Sequence, residues 1–350
     1  MRFLKTLIIA GAATSLAACS AAVSAPASDP ASGTGADTAV VATSPLTGLP
    51  EIAPAPVLIV KLDNTRNAQP HAGLKNADVV YIEEVEYGIT RLAAVFSSVI
   101  PTRIGPTRSA RITDIDLTAQ YGTPAFAFSG VQKKMWPAIN DSTVVDVSPN
   151  KYAAAYFRDH DRRVPYNLFL NGTKSLTWAT GVSSDRNVGF VFSAETPQGG
   201  TTNTGATMKW SEASAEFTYD AVTGLYKVSL NGIPAQAAED TNGQNAATVI
   251  IQNVVQTQSK YWDKGGGNTP HASTIGSGTA TVLRDGQSFN VTWNRPTADA
   301  GTTFTMADGS PMPFKPGQQW VVLLNSKTPA TLLPQPSPAP STGSRAPAAT

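Results

Sequence analysis

Carboxylates at the ends of two predicted strands are the residues best suited to acid–base chemistry. Asp63 ends the apolar run 57–62. Glu83 and Glu84 lie near the end of a second run, 78–85. Ligands of open α/β sheets often bind outside the carboxyl ends of strands, so Asp63 and one glutamate are expected to face a common crevice. Adjacent strand residues point to opposite faces, so only one of the two glutamates can belong to it. These carboxylates are candidates for an acid and a base, or for salt-bridge partners of nearby cations.

Four arginines in the same stretch suit an anion or a charged partner: Arg91, Arg103, Arg108 and Arg111. A helix is predicted over 107–120, and Arg108 and Arg111 fall at or near its first turn, where the helix dipole disfavours cations by about 0.3–1 kcal/mol. We therefore expect a compensating negative charge. It is either an internal carboxylate, such as Glu83, Glu84 or Glu86, or a ligand anion held by guanidinium and backbone N–H groups. Simple exposure of the long side chains is the third alternative.

Other motifs for catalysis or metal binding are missing from the sequence. His71, His160 and His271 lack the His-x-x-x-His spacing that aligns two metal ligands on a helix. The glycine-rich segments 265–267 and 276–278 are not followed by the Lys-Ser/Thr helix start of a phosphate loop. No serine lies in a Gly-x-Ser-x-Gly nucleophile elbow. We expect no metal site and no cofactor.

The only cysteine, Cys19, ends a Leu-Ala-Ala-Cys motif that follows a short apolar segment. Arg2 and Lys5 precede the apolar residues 7–13. This run is shorter than the roughly 20 residues that cross a bilayer, which is typical of a secretory signal peptide. Residues 16–19 resemble the bacterial lipobox, whose cysteine receives a diacylglyceryl group and becomes the first residue of the mature protein. We predict that acyl chains on Cys19 hold the protein on the outer face of the cytoplasmic membrane.

Composition divides the 350 residues into segments of different character. The chain is 41% hydrophobic with a formal net charge of +1, so it can build a core but has no overall field that would attract nucleic acid. Segments rich in Ala, Ser, Pro and Thr cannot repay the entropy of ordering. The predicted segments are a signal peptide over 1–18, a lipidated tether over 19–44, an N-terminal domain over 45–195, a C-terminal domain over 206–326 and a disordered tail over 327–350.

The N-terminal domain is predicted to mix strands and helices. Its strands are 57–62, 78–85 and 92–100, the last two paired through a turn near Tyr87 and Gly88. With the helix after residue 106, this pattern indicates an α/β or α+β layer structure.

The C-terminal domain is predicted to be smaller, β-rich and antiparallel. Asn-Gly and Asp-Gly pairs mark its hairpin turns. The predicted strands are 248–255, 278–284, 289–293 and 319–324. Among its tryptophans, Trp293 and Trp320 are expected in the core, and Trp262 is expected to be exposed.

Motifs in both halves carry a family resemblance. The first half contains Pro-Leu-Thr-Gly-Leu at 45–49, Ala-Asp-Val-Val-Tyr-Ile-Glu at 77–83 and Gly-Pro-Thr-Arg-Ser-Ala-Arg at 105–111. The second half contains Gly-Ser-Gly at 276–278 and Pro-Gly-Gln-Gln-Trp at 316–320. Together they resemble the YerB family of bacterial lipoproteins over about residues 45–324. The resemblance implies export and an architecture of two domains of unknown function, and the family offers no established reaction to transfer.

These features predict a two-domain envelope lipoprotein that binds rather than catalyses. The expected partner is a wall-synthesis protein or an anionic wall fragment, engaged through the four arginines. The alternative is an envelope hydrolase or transferase in which Asp63 and Glu83 act as acid and base beside them. A structural spacer is the third hypothesis, favoured if the charged cluster is closed upon itself.

Overall fold

Strands dominate the described residues, and the largest sheet contains strands from both predicted domains. We call residues 42–195 the first segment and residues 196–334 the second segment. The computed structural model describes residues 42–51 and 53–334. The predicted signal peptide, Cys19 and most of the predicted tether and tail lie outside the described residues. The described residues pack as one compact unit.

The strands of the first segment are β1 (Leu58–Asp63), β2 (Val79–Glu84), β3 (Thr90–Phe96), β4 (Ala125–Ala127), β5 (Val145–Asp146), β6 (Tyr156–Arg158), β7 (Leu168–Leu170) and β8 (Val191–Phe192). Those of the second are β9 (Thr201–Thr202), β10 (Gly205–Lys209), β11 (Ser214–Asp220), β12 (Leu225–Leu230), β13 (Ile233–Pro234), β14 (Asn245–Ala246), β15 (Thr248–Val254), β16 (Gln256–Trp262), β17 (Asn268–Ala272), β18 (Gly276–Arg284), β19 (Gln287–Arg295), β20 (Thr303–Thr305), β21 (Pro313–Phe314), β22 (Gln319–Asn325) and β23 (Thr331–Leu333). The seven predicted strands lie close to β1, β2, β3, β15, β18, β19 and β22, whereas β11, β12 and β16 were not predicted.

Helices are short and lie in the first segment. The α-helices are α1 (Thr113–Ala119), α2 (Trp136–Asn140), α3 (Pro149–Tyr152) and α4 (Gly172–Trp178). Single 3₁₀ turns occupy Arg66–Ala68, Leu74–Asn76, Glu86–Gly88, Lys133–Met135 and Ala153–Ala155. The fold is therefore mostly β, and the mixed α/β character predicted for the first segment is only partly present. Among residues 42–51 and 53–334, none of the helices has the length and apolar character needed to span a bilayer.

Strand β22 joins the two segments within one sheet. The strand order is β20-β19-β18-β15-β22-β2-β3-β1-β4-β5, with β9 beside β19. β22 runs parallel to β15 on one side and to β2 on the other. Most strand pairs within the second segment are antiparallel, but β22 is parallel to β15, and β15, β18, β19 and β22 extend the sheet of the first segment instead of forming a separate small sheet. Residues 319–324 are all buried, as suits a central parallel strand covered on both faces.

Two hydrophobic cores cover the two faces of the large sheet. Because side chains alternate along a strand, residues such as Leu58, Val80 and Leu92 share one face and pack against a second sheet of order β13-β12-β11-β10-β23. Ile59 and Tyr81 point to the other face, towards α1. Charged residues occupy one end of this α1 face.

The predicted helix over 107–120 begins only with α1. Residues 107–110 are not helical because their backbone N–H groups bind outside this segment, whereas Ile112 already has helical dihedral angles as the N-cap residue of α1. The Arg108 N–H, for example, donates to the Lys61 carbonyl at 2.8 Å. The helix-dipole argument therefore fails for Arg108, which lies five residues before α1, and applies only to Arg111, which directly precedes the N-cap residue Ile112.

The predicted disordered tail starts too early in the sequence. β23 pairs antiparallel with β10 at the edge of the second sheet. The Thr204 N–H also donates to the Leu333 carbonyl at 2.9 Å. Residues 327–334 therefore belong to the fold, and residues 335–350 lie outside the described part.

We expect residues 42–195 and 196–334, expressed separately, to fail to fold. Each fragment would expose a long apolar strand edge that β2 and β22 cover for one another. Two-dimensional NMR of each fragment should show poor dispersion, and co-expression should restore the spectrum of residues 42–334. A well-dispersed spectrum from either fragment alone would contradict this interdependence.

Candidate functional site

Three adjacent strands place charged residues in one row across the sheet. Asp63 of β1 lies opposite Arg91 of β3, and Arg91 lies opposite Glu83 of β2. Directly opposed residues share a face, so all three point towards α1. Lys61 lies two residues before Asp63 and points the same way. Burial is almost complete, with exposed fractions of 0% for Lys61 and Glu83 and 6% for Arg91.

Lys61 is the centre of this arrangement. Its Nζ donates to Asp114 Oδ1 of α1 at 2.7 Å and also to Glu83 Oε1. The residue opposite Lys61 on β3 is Ala93, whose small side chain leaves room for the ammonium group to reach β2. Asp114 Oδ2 accepts the Arg111 N–H at 2.6 Å, which fixes the loop before α1.

Glu83 is sealed from solvent. Burial and repulsion from Asp114 raise the pKa of Glu83 to about 7, against the attraction of Lys61 and Arg91. Its second oxygen, Oε2, has no hydrogen-bond partner among the described residues. A raised pKa is typical of an acid catalyst, but an inaccessible carboxyl cannot meet a substrate.

The arginines after β3 complete the cluster with carboxylates of their own. Arg108 Nε lies 2.7 Å from Asp63 Oδ2. Arg111 binds Glu86 through Nε and Nη2, with Nη2 donating to Oε2 at 2.7 Å. Burial opposes ionisation of Glu86, yet the bonds and charge of Arg111 lower its pKa. These contacts match the internal-carboxylate alternative for the compensating charge.

Arg91 has no carboxylate of its own. Its Nη1 donates to the Ser109 carbonyl at 2.7 Å. Burial and the neighbouring Arg111 and Arg108 lower the pKa of Arg91. Its role in the contacts described is to hold the loop that carries the other two arginines.

We call these eight residues the charge cluster: Lys61, Asp63, Glu83, Glu86, Arg91, Arg108, Arg111 and Asp114. Four cations face four carboxylates. Buried charges are costly unless they are paired, and the equal number of cations and carboxylates offsets this cost. Within the described residues, Glu83 Oε2 and Arg108 Nε still lack a hydrogen-bond partner.

Two of the predicted site residues lie elsewhere. Arg103 pairs with Asp159, is 48% exposed on its side chain and packs over the Phe169 ring at 4.6 Å. Glu84 points away from the cluster, as strand alternation requires, and accepts a bond from Gln256 Nε2 at 2.9 Å. The predicted common crevice of Asp63 and Glu83 is also absent from the described structure, because each carboxylate is buried against its own cation.

Sequence reasoning missed Lys61, which carried a readable signal because it interrupts an otherwise continuous apolar strand. A lysine there must find an anion once the strand is covered on both faces. Glu86 was among the carboxylates expected to pair with the arginines, and it binds Arg111. The pairing of Asp114 with Lys61 was not predicted, because it depends on how α1 approaches the sheet.

A cleft of about 340 Å³ lies beside the cluster, and we call it the Arg111 cleft. Its lining includes Glu86, Ser109, Arg111, Gln132, Met135, Tyr261, Trp262, Asp263, Lys264 and Thr269. The β16–β17 hairpin forms one wall. Gln132 Nε2 donates to the Trp262 carbonyl at 2.6 Å, and Thr269 Oγ1 donates to Glu86. Neither Asp63 nor Glu83 lines this cleft.

The glycines of the hairpin make space for an aromatic side chain. A Cβ atom on Gly267 would lie 2.6 Å from the Tyr87 ring. Tyr87 has a left-handed φ of 62° and donates from its hydroxyl to Asp263 Oδ1 at 3.0 Å. Tyr87 and Trp262 are 53% and 51% exposed, so two aromatic rings lie on the surface at the cleft.

Substituting Lys61→Met should destabilise the protein by about 3–5 kcal/mol. The change leaves Glu83 and Asp114 buried without their cation, and breaking one side of a buried pair has a cost of that order. Urea unfolding of the purified protein provides the measurement. Lys227→Met is the matched control, because the Lys227 side chain is 68% exposed in its pair with Asp220 and should cost about 1 kcal/mol or less. Equal effects of the two substitutions would contradict the central role of Lys61.

Comparisons with known proteins agree over most of the chain. The family described as Protein of unknown function (DUF3048) matches twice, with its N-terminal domain over residues 46–183 and its C-terminal domain over residues 206–321. A relative from Bacillus subtilis, "Putative lipoprotein YerB", is 23% identical over 307 residues, which are 81% of this chain and 87% of the relative.

A solved structure supports the fold. The crystal structure of YerB protein from Bacillus subtilis has a TM-score of 0.70 and 18% sequence identity. The match covers 83% of this chain and 99% of that chain. The family expected from the motifs is confirmed, and the chain belongs to the YerB-like DUF3048 family.

Proposed function

We propose that the protein is a membrane-anchored lipoprotein outside the cytoplasm that binds a cell-envelope protein, without catalysis, through the Arg111 cleft. The lipobox-like motif at Cys19 supports the anchor, and the Bacillus subtilis relative is itself named as a lipoprotein. The partner fits the class of wall-synthesis proteins, which work at the same face of the membrane. The observation that carries the proposal is the exposed Trp262 in the Arg111 cleft, with the exposed Tyr87 bound to the neighbouring Asp263.

Charge pairing favours a protein partner over an anionic wall fragment. Arg108 and Arg111 are each bound to an internal carboxylate, and Arg91 is buried. An anion would therefore have to compete with these carboxylates for the guanidinium groups. Around the cleft itself, the cations Arg111 and Lys264 are matched by Glu86 and Asp263, which leaves no excess positive charge.

The chemistry of the cleft resembles that of protein interfaces. Aromatic residues, methionine and arginine are enriched at such interfaces, and Trp262, Met135 and Arg111 line this one. The charge cluster behind the cleft fixes the Arg111 loop, so binding would not have to order it.

The catalytic alternative has less support from the geometry. An acid and a base must both reach the substrate. Glu83 and Asp63 are each buried against a cation, and neither lines the Arg111 cleft. The charge cluster then serves to position the binding surface.

Replacing Cys19 by Ser should release the protein from membranes. Serine cannot accept the thioether-linked diacylglyceryl group that would hold the mature chain on the bilayer. Fractionation of cells expressing each form should find the unmodified protein in the membrane fraction and the variant in the soluble exported fraction. Membrane retention of the variant would contradict lipid anchoring at this cysteine.

Trp262→Ala should weaken partner binding by about 30-fold, the equivalent of roughly 2 kcal/mol for an aromatic hot spot. The partner is first identified by capture from detergent-solubilised envelopes, and its dissociation constant is then measured with purified components. Trp178→Ala is the matched control, because Trp178 is a 39% exposed tryptophan remote from the cleft lining.

Three results separate the alternatives. Loss of affinity in Trp262→Ala alone supports the proposal. Equal affinity in both variants overturns it. Binding of a purified anionic wall fragment that disappears in Arg111→Gln would replace the protein partner with the anionic ligand.

A further inference from the structure

A groove crosses the part of the large sheet that belongs to the second segment. Ile251 of β15 is a core residue, and its opposite neighbour Thr281 on β18 shares its face of the sheet. Thr281 is partly exposed, so the core ends here and this face becomes open to solvent. Three adjoining cavities of about 300, 390 and 290 Å³ lie on it, and neighbouring cavities share lining residues. We call them together the Thr292 groove.

The floor of the Thr292 groove is a row of hydroxyl and amide groups with fixed spacing. Thr279 of β18 lies opposite Thr292 of β19, which lies opposite Thr305 of β20. On β15, Asn253 Nδ2 donates to Thr279 Oγ1 at 3.0 Å. The row therefore crosses four neighbouring strands, and three steps of about 4.8 Å give it a length of roughly 14 Å. That length suits an oligomer better than a single small molecule.

The rows on either side have the same chemistry. Thr281 lies opposite Asn290, and Asn294 lies opposite both Ser277 and Thr303. All five are exposed or partly exposed, as are the residues of the central row, so a ligand can reach them. A threonine or serine hydroxyl can donate and accept a hydrogen bond, and an asparagine amide offers a donor and an acceptor group.

This face differs from the exposed face of the second sheet in its lack of charge. The side chains of the three rows, all within residues 253–305, are Ser, Thr or Asn. On the second sheet, by contrast, Lys209, Glu216, Asp220 and Lys227 alternate with core residues and point outward. Charges on exposed strands keep a sheet soluble and unassociated. Their absence here is therefore not a general property of exposed strands in this chain.

Mostly apolar side chains line the two ends of the groove. Met306 follows β20 at one end, and Pro329 and Leu332 lie at the other, where Leu332 is 40% exposed. The one charged residue of the described lining is Asp308, whose Oδ1 accepts the Ser310 hydroxyl of its own turn at 2.6 Å. Concave sites that combine apolar walls with a few convergent polar groups are typical of ligand binding.

We propose that the Thr292 groove binds a neutral oligosaccharide. The hydroxyl groups of a sugar chain donate and accept hydrogen bonds, and the floor of the groove offers partners for both. The C–H groups of the sugar rings can pack against the threonine methyl groups, Met306 and Leu332. This proposal is independent of the partner of the Arg111 cleft, since the two sites share no lining residue.

Other ligand classes fit the lining less well. An anionic polymer would need cations, and the described lining of the groove contains none. A purely apolar partner would bury the hydroxyl and amide groups of the floor without hydrogen bonds, which is costly.

The test titrates the full-length protein, purified without sugar-based detergents, with two uncharged tetrasaccharides, maltotetraose and chitotetraose. Binding is followed by calorimetry and by two-dimensional amide NMR. At least one tetrasaccharide should bind and shift the amide signals of Thr279 and Thr292, while the signal of Thr218 on the second sheet stays unchanged. Failure of both to bind, or shifts confined to the Arg111 cleft, would overturn the proposal.

Two substitutions at Thr292 separate the shape of the groove from its hydrogen bonds. Thr292→Arg should lower the affinity by at least about 10-fold, because the long side chain fills the middle of the groove. Thr292→Val keeps the shape but removes the hydroxyl, so the affinity should fall by about 3- to 10-fold, the effect of one hydrogen bond.

Thr218→Arg and Thr218→Val are the matched controls, because Thr218 is an exposed threonine within β11 of the second sheet. Both should keep the affinity of the unmodified protein. Unchanged affinity in the two Thr292 variants, or equal losses in the Thr218 variants, would overturn the assignment of the ligand to this groove.

Discussion

The buried ammonium group of Lys61 is the constraint on which the arrangement of this end of the fold depends. Removing such a charge from water costs several kcal/mol, so the sheet must bring anions to it. Glu83 comes from the neighbouring hairpin and Asp114 from α1. Asp114 then binds the Arg111 backbone, and the Arg111 side chain binds Glu86. One lysine thereby fixes strand, helix and loop relative to each other.

Much of the β-structure could be predicted from the sequence, because strands that are buried on both faces consist mainly of apolar residues. The runs around β1, β2 and β22 are apolar without alternation, and all three are buried on both faces. Trp293 and Trp320 are 2% and 0% exposed, and Trp262 is 51% exposed, as predicted. Local patterns could not show that β22 pairs with β2, about 240 residues earlier in the chain. That pairing depends on the assembly of the whole sheet, because parallel strands are not joined by a tight turn that would identify neighbouring strands in the sequence.

For the charged residues, too, the sequence predicted only part of the arrangement. It showed which residues carry charge, but not which cation pairs with which carboxylate. The helical pattern was overridden at residues 107–110, because the N–H groups of Thr107, Arg108 and Ala110 donate to carbonyl groups of Leu168, Lys61 and Gly130. Once this loop is extended, Arg108 reaches Asp63 and Arg111 reaches Glu86, whereas Arg103 stays with Asp159. The path of the backbone therefore decides which of the four arginines join the charge cluster and which one lies on the surface. The residue type alone does not specify that path.

The position of two clefts follows from the turn Glu86–Gly88 between β2 and β3. Glu86 lines the Arg111 cleft, and Ile89, just after the turn, lines a second cleft of about 440 Å³ between the start of β3 and the turn that joins β10 to β11. The second segment contacts this turn on two sides. The glycines of the β16–β17 hairpin lie against the Tyr87 ring, and the Ser211 hydroxyl donates to the Tyr87 carbonyl at 3.3 Å. Tyr87 adopts a left-handed conformation that costs a non-glycine residue free energy, so these contacts must over-determine it. The joining of the two segments therefore produces the strained turn and both clefts together.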